Sequence, residues 1–194
     1  LLDISTSGCD ADSTAGCDKH FALMNDIDLK EESFVTIGDA TNRFSGTFDG
    51  RDHTISNMVI ASGTGMFHET LSGFRAKNLN IKLGSVTSSV TNTGMLVGQF
   101  RGTIINVHVH GTVNSSGTTV GGLVGFSNSG KIYNSSADIE ITSSGNDTGG
   151  LVGIQSGASG KILNSYSSGT ISVTGSVVRI GGLIGDLSIS STVE

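Results

Sequence analysis

The sequence predicts an all-β fold, a parallel β-helix in which each coil of the chain stacks on the coil before it. Two markers with a shared period carry this prediction. A glycine-rich pentapeptide recurs at nearly constant steps, and its copies begin at Gly65 (the loosest copy), Gly94, Gly121, Gly149 and Gly181. An asparagine keeps the same period, as Asn78, Asn106, Asn134 and Asn164. Both markers recur about every 28 residues, and two independent markers with one period indicate a structural repeat.

The unit 121–148 shows how one repeat makes one coil. Residues 122–126 form a short apolar segment bounded by glycines, and a turn cluster follows at 127–130. Residues 131–138 are a second extended piece, and residues 139–142 alternate strictly, which predicts a strand with one buried face. Three short strands per repeat, without helical periodicity, predict five or six coils, which we take to be right-handed.

Glycine and asparagine are expected at the corners of the coil. Glycine permits a positive φ or a close approach of two backbones, and either would explain the paired glycines. Asparagine tolerates the left-handed conformation, and copies stacked about 4.8 Å apart can hydrogen-bond amide to amide. The recurrent asparagines therefore predict a ladder along the coils, with four ordinary turn residues as the alternative.

Stacking must supply the core, because a single coil cannot bury its own apolar face. The pentapeptides predict one inward column, made of Leu96, Leu123, Leu151 and Leu183. The strands that follow predict a second column, made of Ile104, Ile132 and Ile162.

Residues 1–45 are predicted to be an N-terminal cap and residues 46–194 the β-helical repeats. Residues 1–52 hold eleven Asp and Glu against four Lys and Arg, whereas charged side chains are sparse from Gly84 onward. Terminal repeats of a solenoid are atypical because they shield the end of its core. The last repeat is cut short, so we expect further coils or another domain of the same polypeptide.

The charge balance argues against two classes of partner. The formal net charge is −6, and no basic stripe is present to neutralise phosphates. Nucleic acid and anionic membrane surfaces are therefore not expected partners. No apolar run is long enough to span a bilayer, so membrane insertion is not expected either.

The two cysteines, Cys9 and Cys17, bound a short polar segment in the cap. A disulfide-closed loop is the main interpretation, and it implies an oxidising, secreted setting. Free thiols are the alternative.

Two groups of residues are candidate metal ligands. Asp10, Asp12 and Asp18 could gather around Ca²⁺, which prefers hard oxygen ligands, although the segment lacks the glycine and glutamate of an EF-hand loop. An acidic, solvated loop is the alternative. On a strand His108 and His110 share a face, and one repeat later Asp138 aligns with His110. Outward polar residues without a metal are the default there.

The Gly-Leu-x-Gly core, present at 122–125, 150–153 and 182–185, resembles that of the GLUG repeat family. The segments 23–29 and 44–55 are similar to the region that commonly precedes such repeats. The resemblance implies a large secreted or surface-anchored bacterial protein, a group that includes adhesins and the non-catalytic regions of immunoglobulin A proteases. It implies no catalytic motif. We therefore expect a non-enzymatic, extracellular stalk or adhesin-like module, with a glycan or protein of a host or neighbouring cell as a partner.

A polysaccharide-active enzyme, a lyase or glycosidase, is one alternative function. Carboxylate pairs could come from Asp26, Asp28, Asp49 and Asp52. However, Asp49-Gly50 is typical of a tight turn, and the repeats are poor in the charged groups that a catalytic cleft needs.

An ice-binding solenoid is the other alternative. It would need the same threonine at one outward position of every coil, and the column Thr112, Glu140, Thr170 is interrupted by a glutamate. If the module is adhesive, its two irregular places are the acidic cap at 10–18 and the turn at 174–179, where the repeat is longest.

Overall fold

The computed structural model of the protein describes residues 17–174 and 179–188, and the backbone of residues 192–193. Within these ranges the chain contains strands and turns and no helix. The strands are β1 (His20–Ala22), β2 (Ile27–Asp28), β3 (Thr47–Asp49), β4 (Thr54–Ser56), β5 (Val59–Ile60), β6 (Phe67–Glu69), β7 (Arg75–Ser88), β8 (Val97–Phe100), β9 (Thr103–Ser115), β10 (Thr119–Gly121), β11 (Val124–Asn128), β12 (Lys131–Tyr133), β13 (Ser136–Ser143), β14 (Asp147–Gly149), β15 (Val152–Ser156), β16 (Lys161–Leu163), β17 (Tyr166–Ser168), β18 (Ile171–Val173), β19 (Arg179–Gly181), β20 (Ile184–Leu187) and β21 (Thr192–Val193).

The described strands form three sheets whose every pairing is parallel. Sheet 1 has thirteen strands, along the path β1-β3-β7-β9-β12-β16-β21 with the shorter strands beside it. Sheet 2 has the order β20-β15-β11-β8-β6, and sheet 3 the order β10-β14-β19. The seven levels of sheet 1 correspond to about six turns of a β-solenoid. The predicted all-β parallel β-helix is therefore confirmed; its handedness stays a prediction.

One coil visits the sheets in a fixed order. The chain passes through β10 in sheet 3, β11 in sheet 2, and β12 and β13 in sheet 1, and it then enters β14 directly over β10. The register is strict, since Val124 pairs with Val152 and Ile132 with Ile162. The repeat therefore has four strands where the sequence predicted three. The strand that the prediction missed is the three-residue strand of sheet 3.

Both predicted apolar columns point into the core. The side chains of Leu96, Leu123 and Leu151 are fully buried, and so are those of Ile104, Ile132 and Ile162. Leu183, in the last described coil, is partly buried and packs against the same cluster. Burying a Leu or Ile side chain stabilises the fold by about 1.5–3 kcal/mol relative to exposing it, so the columns are a principal source of cohesion between coils.

A stack of aromatic rings fills the core of the first coils. The ring of Phe44 lies 5.1 Å from that of Phe67 and 5.8 Å from that of Phe74, measured between centroids. The chain of contacts continues from Phe74 to Phe100 at 6.2 Å. All of these pairs are tilted or edge-to-face, and the ring quadrupoles favour such arrangements over face-to-face stacking.

The pentapeptide glycines are explained by close approach of backbones. A Cβ placed on Gly121 would lie 2.0 Å from the carbonyl oxygen of Val124, and one on Gly122 would lie 2.2 Å from the carbonyl oxygen of Gly150. A Cβ on Gly125 would lie 2.5 Å from the carbonyl carbon of Asn92. None of the three has a positive φ. The chain therefore turns from sheet 3 to sheet 2 through an arch in which these three positions have no space for a Cβ atom. We call residues 121–125 and their copies the glycine arch.

Candidate binding surface

The long strands of sheet 1 bend, and outward-facing residues line the concave side of the bend. The bend lies at Gly84 in β7, Gly111 in β9 and Gly169 after β17, and in β7 it coincides with a register shift between Ile81 and Gly84. A Cβ on Gly111 would lie 1.9 Å from the carbonyl oxygen of Gly84, and Gly169 has a φ of 103°. Only glycine fits both places without strain. Glycine therefore occupies this position in three of the four coils, and the buried Ile139 of β13 occupies it in the other.

A groove with a volume of about 460 Å³ lies over this floor and crosses four adjacent coils. We call it the bend groove. Its lining residues are Leu83, Gly84, Ser85, His110, Gly111, Thr112, Asp138, Glu140, Gly169 and Thr170.

The groove brings together His110 and Asp138, as the spacing predicted. The two residues are paired in register between β9 and β13, and His110 Nε2 lies 3.9 Å from Asp138 Oδ2. The other carboxylate oxygen, Asp138 Oδ1, accepts a hydrogen bond of 2.9 Å from Ser168 Oγ. Thr112 and Glu140 are also in register, and the side chain of Glu140 has no hydrogen-bond or ion-pair partner among residues 17–174 and 179–188. The imidazole and both carboxylates remain accessible from solvent.

His108 does not join this group. Its Nδ1 lies 2.8 Å from Ser136 Oγ, and its Nε2 lies 3.2 Å from Asn106 Oδ1. Among the described residues, no three His, Cys, Asp or Glu side chains are close enough together to hold a metal ion. The structure therefore brings together two members of the His108, His110 and Asp138 set.

The four recurrent asparagines all occupy the left-handed region, with φ between 48° and 54°. Asn106 Nδ2 donates to Asn78 Oδ1 at 3.1 Å, which is one link between successive coils. In the described chain no hydrogen bond joins the side-chain amides of Asn106 and Asn134, or those of Asn134 and Asn164. The side-chain oxygen of Asn106 faces His108 instead. The asparagines thus share a corner conformation throughout, whereas the ladder is limited to its first link.

The cap candidates lie largely outside the described residues. Cys9, Asp10 and Asp12 fall there, so the disulfide and the calcium site stay predictions. Cys17 is buried, and its backbone N–H donates to the carbonyl of Arg43 at 2.7 Å. Asp18 is exposed. Of the irregular turn at 174–179, residues 175–178 are likewise outside the described ranges.

The carboxylates of the first coils hold the turns of the next coil. Asp26 Oδ1 accepts the backbone N–H of Thr54 at 2.9 Å and lies 3.0 Å from His53 Nδ1, and these contacts lower the pKa of Asp26. Asn57 Nδ2 donates to Asp28 Oδ1 at 2.8 Å, which lowers the pKa of Asp28.

Asp49 and Asp52 are engaged in the same way. Asp49 Oδ1 accepts the N–H of Arg51 at 3.0 Å, and Asp49 Oδ2 lies 3.0 Å from Lys77 Nζ. Asp52 Oδ1 accepts from Asn106 Nδ2 at 3.2 Å. All four carboxylates named as a possible catalytic set are thus hydrogen-bonded within the fold.

Two ion clusters were not anticipated from the sequence. Glu69, which is nearly buried, lies 3.1 Å from Arg101 Nη1 and 3.4 Å from Arg43 Nη1. Arg179 contacts Asp147 through Nε and Asp186 through Nη1, the latter at 3.4 Å. Most of these pairs join residues of different coils, so only the coil period could have indicated them. The bend groove was also missed, although glycine inside a strand signals a bend or a close approach.

Comparisons with known proteins give one partial sequence match and one structural match. No protein-family model matches the chain. A stretch of 133 residues is 35% identical to part of Halomucin from Haloquadratum walsbyi (strain DSM 16790 / HBSQ001). That match covers 62% of this chain and 1% of Halomucin, so the chain corresponds to a very small fraction of that protein.

A solved structure is similar over most of the chain. It is a provisionally assigned immunoglobulin A1 protease from Bacteroides ovatus, with a TM-score of 0.75 and 23% identity. The superposition covers 92% of this chain and 58% of the other. At this identity the likeness establishes the β-solenoid fold and nothing about chemistry. No helix in the described ranges has the length and apolar character needed to cross a membrane.

Proposed function

We propose that this chain is a non-enzymatic, adhesin-like stalk or binding module of a larger extracellular or surface-anchored bacterial protein of the GLUG type. The observation that carries the proposal is the unbroken stack of in-register coils. From β8 to β20 each strand of sheet 2 pairs with the strand of the next coil, over a core of fully buried Leu, Val and Ile. Such a body keeps its length and displays its outer side chains at fixed spacing, as a spacer or display scaffold requires.

The charge distribution supports a binding role over a catalytic one. The four candidate catalytic carboxylates of the first coils bind turns, and Glu69, Asp147 and Asp186 bind arginines. A glycosidase needs one carboxylic acid whose pKa is raised and one ionised partner across the sugar. The resolved pKa shifts of the carboxylates in the first coils are downward instead.

The comparisons support an exterior location. The similarity to Halomucin is consistent with a surface or extracellular setting, and the predicted Cys9–Cys17 bridge requires an oxidising one.

Binding of the purified chain to an array of glycans and extracellular proteins tests the proposal. We expect binding to at least one ligand that survives added salt, and no release of reducing sugar or of unsaturated products. Cleavage of any polysaccharide would overturn the non-enzymatic assignment, and lowering of the freezing point with faceted ice crystals would favour the ice-binding alternative. Absence of binding would favour the spacer over the adhesive module.

A further inference from the structure

The bend groove is the one outer surface in the described repeats where carboxylates lack a Lys or Arg partner. Four acidic residues lie in the described chain from Gly84 onward: Asp138, Glu140, Asp147 and Asp186. Asp147 and Asp186 both contact Arg179. Asp138 and Glu140 have no Lys or Arg within ion-pair distance in the described ranges, and both line the groove. The groove therefore presents two carboxylates without a Lys or Arg partner to a ligand.

The shape of the groove fits a short linear ligand that lies along the solenoid axis. Four adjacent coils line it, and at a spacing of about 4.8 Å per coil they span about 14 Å. Its volume of about 460 Å³ is within the usual range of small-molecule sites. Three floor positions are glycines and the side chain of Ile139 at the fourth is buried, so a flat ring can approach the backbone. The exposed side chain of Leu83 adds an apolar contact at one end.

The polar groups on the walls select the chemistry of the ligand. Glu140, Asp138 and the imidazole of His110 offer side-chain acceptors, and the remaining walls add the hydroxyl groups of Ser85, Thr112 and Thr170. The backbone of these central strands is already engaged in the parallel ladder, so an extended peptide could not add as a strand. An acidic sugar would be repelled by the two carboxylates.

We infer that the bend groove binds a short oligosaccharide that carries free amino groups. The ammonium groups lie against Asp138 and Glu140 in charge-assisted hydrogen bonds, and the ring hydroxyls bond to the hydroxyl groups and imidazole of the walls. This inference rests on the proposed binding function and names its ligand class and location.

Calorimetric titration with three trisaccharides tests the inference: one of β-1,4-linked glucosamine, its fully N-acetylated counterpart and one of galacturonic acid. We expect the glucosamine trimer to bind and the uronate not to bind. The N-acetylated trimer should bind at least about tenfold more weakly than the glucosamine trimer. Wild-type protein that binds none of them, or that binds the first two equally, would overturn the inference.

A pair of charge-matched variants locates the site. Asp138→Asn combined with Glu140→Gln removes two exposed carboxylates from the groove, and Glu31→Gln combined with Glu32→Gln removes two exposed carboxylates from the first coils. We expect the groove variant to lose affinity about tenfold or more with unchanged thermal melting, and the control to retain it. Equal loss in both variants would mean non-specific attraction to an acidic protein and would overturn the assignment. If ligands found on the array bind the groove variant as tightly as they bind wild type, the groove is not their site. That result would overturn the assignment of the groove but not the proposed adhesive function.

Discussion

The first coils, at residues 17–90, and the repeats, at residues 93–187, share one parallel ladder but fill it with different side chains. The first coils hold a ring stack centred on Phe44 and turns pinned by carboxylates such as Asp26. The repeats hold aliphatic columns, and their described strands include a third sheet that the chain leaves through the glycine arch. Both solutions stack like on like from coil to coil. The parallel ladder therefore fixes the register of the coils. Within that register, the interior of a coil can be filled by aromatic rings or narrowed by the close backbone approach of the glycine arch.

The largest effect is expected from a charge placed in the aliphatic column. Leu123→Asp would bury an unpaired carboxylate at a fully buried position, which costs several kcal/mol, so its coil and the coils on either side should unfold. Thermal melting followed by circular dichroism, with hydrogen exchange resolved by coil, measures this. Leu187→Asp, at a half-exposed position, is the control. Melting of the Leu123 variant at the wild-type temperature would contradict the inward column.

Removal of the central ring of the first coils should rank second. Phe44→Ala deletes a fully buried side chain that contacts three other rings, and about 3–5 kcal/mol of unfolding free energy should be lost. Phe126→Ala, at a half-buried outward position of a repeat, should cost much less. Hydrogen exchange should place the Phe44 loss in residues 17–90. Equal losses in the two variants would refute the difference between the two core types.

The glycine arch offers a smaller and sharper comparison. In Gly122→Ala the new methyl group would meet the carbonyl oxygen of Gly150 at 2.2 Å, so we expect a loss of about 1–3 kcal/mol from forced backbone movement. Gly182→Ala is the matched control, because a Cβ there has no heavy atom within 4 Å and its φ is ordinary. Chemical denaturation of both variants measures the difference. If both behave alike, close approach is not the reason for the glycines.

The smallest effect concerns the turn carboxylates. The pKa of Asp26 is lowered below its usual value near 3.8, so its hydrogen bonds to Thr54 and His53 stabilise the fold above that pH and are lost as the pH falls below it. Asp26→Ala should therefore melt slightly below wild type at neutral pH, and the gap should close below pH 3.8. Glu32→Ala, which removes another exposed carboxylate of the first coils, is the control. A gap that persists in acid would exclude the charge as its cause.

The periodic parts of the fold were predictable because one sequence repeat forms one coil, so equivalent residues of successive repeats lie beside each other. Leu123 and Ile132 were placed inward from pattern alone, and His110 was correctly aligned with Asp138. The strand at β10 was missed, because so short a strand cannot show alternation. The reason for the pentapeptide glycines was left open, since a clash with Val124 depends on how the arch closes.

The bend groove was missed for a related reason. Asp138 and Glu140 were considered separately, one as a metal ligand and the other as a break in a threonine column. Their shared concavity depends on bends at Gly84, Gly111 and Gly169, whose spacing along the chain becomes meaningful only once the register is known. Local pattern gives the face of a strand on which a residue lies, whereas a groove requires the curvature of several strands together.

The hydrogen bonds that join the coils run parallel to the solenoid axis, and this direction determines how the module would respond to tension. A pull along the axis loads the bonds of one coil at a time, so coils should detach in sequence from an end instead of giving way together. Each coil, such as the one between Gly121 and Gly149, would release about 90 Å of chain, since extended chain spans about 3.4 Å per residue and the folded coil only about 4.8 Å. Under tension the stack would therefore lengthen in steps of one coil each.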